Sequence, residues 1–300
     1  MHVARMLTLR DILFTAVLPA AWSAVVVLIA WRPWRERAPN DAGYWAGPVA
    51  LAGSFVLSFV GASGRLAIPP IQVTDWLPYI AVAAAVIGVI DATLQFPRAA
   101  RWAVGCACIA AATWLLIRPL PAETHSLATK LGWLVMRAVI WGGCWIALDG
   151  LAQESPGISV PRDLLIVTAA SAMVLMMSGS KLLGLLAGSL AASLAVFVVV
   201  GAFASLSIAR GGALVSATLL SGLLICGLFY ASLTRPNAVL LMLATVLTSA
   251  ARFPPVKKLA GWKRHVVQIA LAALPAGLAV ALAAVEFAKS FTASGSGYQY

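Results

Sequence analysis

Apolar residues in this chain come in long unbroken runs, and not in the alternating or three-and-four spacing of a half-buried strand or helix. Runs with few or no charges fall at roughly 12–31, 46–62, 76–96, 102–118, 131–149, 163–179, 182–204, 211–230, 237–251 and 265–287. About 20 apolar residues are what a helix needs to cross a hydrocarbon layer of about 30 Å. The pattern therefore predicts an all-α fold, a polytopic transmembrane helix bundle of about ten spans (nine to eleven). The stretch 163–209 is too long for one crossing, and Ser178-Gly179-Ser180-Lys181 is its only polar interruption, so a tight hairpin is expected there. The second and ninth runs are short, and losing either inverts half of the topology.

Composition agrees with the pattern: of 300 residues 62% are hydrophobic and 10% charged. Ten spans use about 200 positions, and no remaining stretch is long enough for a soluble domain, so residues 1–300 read as one integral membrane domain. The formal charge of +11, from 21 Lys+Arg and 10 Asp+Glu, is spread through short loops and builds no basic face for nucleic acid. Loops after odd-numbered spans hold 12 of these cations, and the other side with both termini holds 8. By the positive-inside rule both termini are expected outside the cytoplasm of a cell membrane of bacterial inner-membrane type. The 252–264 loop supplies 5 of the 12 and decides the count. Arg5 and Arg10 precede the first run, but Trp31-Arg32-Pro33-Trp34 follows it in place of a small-residue cleavage site, so this run is expected to be kept as a span. Pro19 and Pro275 fall mid-span and predict kinks. Trp31, Trp34, Trp45, Trp76, Trp102, Trp114, Trp133 and Trp262 lie near run ends, as an interfacial belt requires.

Helices in lipid associate through close backbone approach, which small residues at every fourth position allow. Ser54 and Ser58 in the second run, Gly184 and Gly188 in the seventh and Gly222 in the eighth mark expected contact faces. This pattern speaks for packing and is silent on purpose.

A charge inside a bilayer is expensive and is a functional-site candidate by default. Asp91 lies near the end of the third run, with Ala84, Gly88, Ala92 and Gln95 expected on its face. It reads either as a protonatable or cation-binding group, with Gln95 beside it, or as an acid paired with Arg98 or Arg101. Arg137 lies about ten residues into the fifth helix if that helix begins near Leu127, with Trp133 and Trp141 one turn either side. It reads as a contact for an anionic group, or as an arginine that snorkels outward. Asp149 and Glu286 close their spans and read as interfacial acids. Between Arg252 and His265, Phe253, Val256, Leu259 and Trp262 recur every third residue among Lys257, Lys258, Lys263 and Arg264. A segment of this kind anchors topology and meets anionic lipid headgroups or a membrane-protein partner, a second copy included.

The remaining chemistry is sparse. Cys106, Cys108, Cys144 and Cys226 sit in apolar runs without a Cys-x-x-Cys pair, and read as small hydrophobes and not as metal ligands. The three histidines, His2, His125 and His265, lie outside the run centres, which speaks against a haem held between spans. No H-E-x-x-H, G-x-S-x-G or P-loop pattern is found, so neither catalysis nor a cofactor is expected. Two functions remain: a secondary carrier for a small solute, or a non-catalytic scaffold or assembly subunit. A carrier should show a polar cavity near mid-bilayer lined by Asp91 or Arg137, and a scaffold a dry core with both residues capped. A transferase acting on lipid or polyprenyl substrates is a distant third, because clustered carboxylates for metal and phosphate are missing.

Overall fold

A computed structural model of the chain describes residues 8–31, 43–121, 126–154, 157–203, 207–249, 256 and 262–295. It is 86% helical, without strands among the described residues. The helices are α1 (Leu9–Ala30), α2 (Ala46–Ser63), α3 (Val73–Leu94), α4 (Arg98–Ile117), α5 (Leu127–Glu154), α6 (Ser159–Met177), α7 (Lys181–Gly201), α8 (Ala209–Tyr230), α9 (Arg235–Ser249) and α10 (Trp262–Gly295). All except α9 are long and apolar enough to cross a membrane, giving nine candidate spans among the described residues. At 15 residues, α9 rises about 22 Å and is the shortest of the ten, so the nine candidates among the described residues agree with the expected nine to eleven spans.

Local signals set the helix ends. Thr8 caps α1 by a reciprocal box with Asp11, its hydroxyl accepting from the Asp11 N–H while the Asp11 carboxylate accepts from Thr8. The hairpin expected at Ser178-Gly179-Ser180 is present: α6 stops at Met177, Gly179 turns the chain at φ 85°, and Ser180 caps α7. In α1 one stretch widens to a π-helix over Leu13–Val17, just before Pro19. On α2, Ser54 donates to the Pro19 carbonyl and Ser58 to the Phe14 carbonyl, both on α1.

Hydrogen bonds between helix ends fix the topology. At one end of the bundle Lys181 meets Asp11, Ser232 N–H donates to Ser178 O, and Asn237 near the start of α9 donates to Glu286 near the end of α10. The start of α1 and the end of α10 therefore share this end, and α9 runs antiparallel to α10. At the opposite end, called here the Asp91 end, α3, α5 and α7 finish while α4, α6 and α8 begin.

Helix α8 is the axle of the bundle. In its apolar window 89% of residues are buried, against 28% in α1 and 33% in α10, which face outward. It packs against α2, α3, α4 and α5 and more lightly against α6, α7 and α9. Its contacts with α2 and α3 are made backbone to backbone. A Cβ on Gly88 would lie 2.8 Å from Gly211 Cα, and one on Gly47 would lie 3.1 Å from Gly212 Cα. Gly222 and Gly184 also stand at crossings, against Leu77 and Leu116 and against Met176 respectively. Gly188 does not: nothing lies within 4 Å of the position its Cβ would take. The buried face of α7 there runs through Ala187, Leu190 and Leu194, so the four-residue spacing placed Gly188 wrongly.

Candidate functional site

The Asp91 end carries a buried charge cluster assembled from four helices. Asp91 stands in the last turn of α3, and the link Gln95-Phe96-Pro97 turns the chain directly into α4, whose first turn holds Arg101. Arg101 Nε donates to Asp91 Oδ1 at 3.2 Å and lies 2.9 Å from Oδ2, while Nη2 donates to the Phe96 carbonyl at 3.2 Å. Its Nη1 reaches Asp149 Oδ2 on α5 at 3.4 Å. Asp149 also accepts from Gln153 Nε2 at 2.6 Å and from the backbone N–H of Arg210. Asp91, Arg101 and Asp149 are all buried.

Arg210 stands in the first turn of α8 with φ 61°, a left-handed conformation that a non-glycine residue takes at a cost of about 1–2 kcal/mol. Its guanidinium sits 5.2 Å from the centre of the Tyr44 ring. Two cations and two carboxylates thus balance within one cluster. The segment Ser207–Gly211 that carries Arg210 is irregular yet largely buried, with Ser207 Oγ donating to the Ala152 carbonyl. Irregular backbone at the membrane is tolerated only where protein or a cavity surrounds it.

A polar cavity of about 540 Å³ opens over this cluster, lined by Arg98, Arg101 and Trp102 of α4 and by Asp149, Gln153 and Glu154 of α5. A second hollow of about 520 Å³, between α1, α2 and α3, is lined by Trp22 and aliphatic side chains. Among the described residues no three His, Cys, Asp or Glu side chains gather as metal ligands.

Asp91 takes the paired arrangement, with Arg101 as its partner, and does not line the 540 Å³ cavity. Gln95 is not on its face: it ends α3 in a left-handed turn at φ 50°, with an exposed side chain, because its N–H closes onto the Asp91 carbonyl. Lys257 and Lys258 lie outside the described residues. Trp262 is 70% exposed at the start of α10, with Lys263 exposed and Arg264 half-buried after it.

Arg137 stands apart from this cluster. Helix α5 does begin at Leu127, so Arg137 is held inside and does not snorkel: it is 6% exposed. Lys130, seven residues earlier, donates to the Arg118 and Leu120 carbonyls at the bundle edge. Seven residues of helix place Arg137 about 10 Å deeper than Lys130. Its guanidinium lies 5.9 Å from the Trp133 ring, which itself packs edge-on against Phe229 of α8, and its Nε and Nη1 have no hydrogen-bond partner.

Sequence reasoning missed Asp163, a carboxylate with no exposed surface in the first turn of α6, paired with the neighbouring Arg162 at 2.8 Å. It also missed the part that Asp149 and Gly211 play, since their partners are remote in sequence. The one available signal was Arg210-Gly211-Gly212 ahead of an apolar run, where two glycines invite close approach. No protein-family model, curated protein or solved structure matches this chain.

Proposed function

We propose that the protein is a secondary carrier for a small solute, with its entry at the Asp91 end between α4 and α5. The observation that carries this reading is the 540 Å³ polar cavity whose floor is the buried Arg101–Asp149 contact; it lies at the helix ends and is lined by neither Asp91 nor Arg137, in place of the mid-bilayer cavity expected from the sequence. That contact, at 3.4 Å, is the longest in the cluster, and a solute engaging either side chain competes with it. Asp149 also holds the Arg210 N–H of α8, so a solute that moves its carboxylate acts on α4 and α8 together.

By the cation count this end faces the cytoplasm, with both termini on the other side of a cell membrane. Trp262, Lys263 and Arg264, at the start of α10, then lie at the cytoplasmic surface, where anionic headgroups are their partners.

The test is flux into proteoliposomes over a panel of small organic and inorganic solutes. Wild type should move at least one of them, and Asp149→Asn and Arg101→Gln should lower that flux tenfold or more while remaining monodisperse. Absence of flux for every solute, with correctly folded protein, would overturn the carrier reading. A second reading, a non-catalytic subunit, is favoured by the close packing around α8 and by the capping of Asp91. Its signature is stoichiometric recovery with one membrane-protein partner or with a second copy after cross-linking in native membranes.

A further inference from the structure

Arg137 is a buried cation with no anion beside it among the described residues. Among the described residues no ion pair includes it, and the acids that are paired at the Asp91 end belong to Arg101 and Arg162. Around the guanidinium stand the Trp133 ring and Cys226 of α8, whose thiol lies within its electrostatic range. One turn further along α5, on the same ridge, comes Trp141, which is 1% exposed and whose indole N–H has no partner. Trp145 follows at the next turn, 2% exposed and again with an unpartnered N–H. Asp149 ends this ridge at the polar cavity.

Arg137, Trp141 and Trp145 therefore present donors and no acceptor on three successive turns, about 6 Å apart. Donor-only groups buried together are completed by an acceptor, and a cation among them requires that the acceptor be negative.

We propose that Arg137, beside Cys226 of α8, and the Trp141 indole N–H one turn along α5 form a site for a small monovalent anion. The valence follows from the charge balance. One uncompensated cation neutralises one negative charge, and a dianion would leave net charge in an apolar surround of Trp133, Phe229 and Cys226. Weak hydration is the second requirement, because the ion sheds its water to enter, and two or three N–H donors with positive ring edges replace only a loose shell. Nitrate, chloride and formate meet both conditions, and sulfate meets neither. Binding here is independent of net transport, so failure of flux leaves this site standing and its own failure leaves the carrier reading standing.

The experiment is thermal unfolding of the full chain in detergent micelles at fixed ionic strength, with sodium gluconate replaced stepwise by sodium nitrate, chloride, formate or sulfate. Wild type should gain stability along a saturating curve in the three monovalent anions, whereas sulfate should give only the unsaturated, roughly linear gain of an excluded salt. Arg137→Gln should flatten the curve. Trp141→Phe keeps the ring and removes one N–H, and should move the midpoint about tenfold higher in anion concentration, the equivalent of one hydrogen bond to a charged group. A flat wild-type curve, an equal response to sulfate, or a Trp141→Phe midpoint equal to wild type would overturn the proposal. The last outcome decides the matter even if Arg137→Gln fails to fold.

Discussion

Arg101 and Arg137 are equally buried, each 6% exposed, yet their surroundings are opposite. Arg101 is met by two carboxylates and a carbonyl from three successive elements, within a cluster whose charges cancel. Arg137 is met by an aromatic face and a thiol. A buried charge is tolerated when its partners come with it, and its removal then strands those partners. One without partners is a standing cost that a ligand can relieve. The first arrangement ties helices together, and the second keeps a place open for something that is not part of the chain.

Replacing each arginine by methionine is the strongest way to break this comparison. Arg101→Met strands Asp91 and Asp149 and should destabilise the fold by about 3–5 kcal/mol. Arg137→Met in gluconate removes an unpaired charge from an apolar site and should stabilise it by about 1–4 kcal/mol. Chemical unfolding in mixed micelles measures both, and effects of the same sign and size would erase the distinction between the two sites.

The sequence shows one of these sites more clearly than the other. Asp91 and Arg101 are ten residues apart across a three-residue link, so their pairing is readable from the chain alone. Asp149 joins from 48 residues beyond Arg101, and the Arg210 N–H from 61 beyond Asp149. No spacing rule reaches that far, and each residue by itself looks like an ordinary interfacial charge. The apolar runs located all ten helices because in lipid a helix has to satisfy its own backbone. The same runs are uniform around their circumference, so they do not say which face meets which neighbour. That is why nothing in the sequence pairs Gly88 with Gly211, although a Cβ on Gly88 would lie 2.8 Å from Gly211 Cα, while Gly188 fitted a motif and faces open space.

The glycines sharpen the comparison at the next level of effect. Gly88→Ala drives a methyl group into the α8 backbone beside the charge cluster and should destabilise by about 1–3 kcal/mol. Gly188→Ala meets nothing within 4 Å and should be neutral or stabilise by up to about 1 kcal/mol. Parallel melting curves in the same detergent check the pair, and equal losses would show that α7 is packed more tightly than its contacts indicate.

The smallest effect is expected at the opposite end. The pair between Asp11 and Lys181 is 2.6 Å long, but Lys181 is 41% exposed, so solvent screens it. Lys181→Gln should cost no more than about 1 kcal/mol and lose even that at high salt. A larger, salt-independent loss would mean that this end is as dry as the cluster around Arg101.

The burial of α8 also bears on the order in which the molecule is made. A helix surrounded by protein is laid into a slot and not against lipid. Among the described residues the helices packed most closely on α8, namely α2, α3, α4 and α5, all come before it in the chain, so the ribosome has delivered the slot before it delivers the occupant. A nascent chain stopped before Ala209 would hold seven helices around an empty groove, with Gly47 and Gly88 uncovered. Synthesis of the next 22 residues is then the step that turns a loose ring of helices into a membrane protein with a centre.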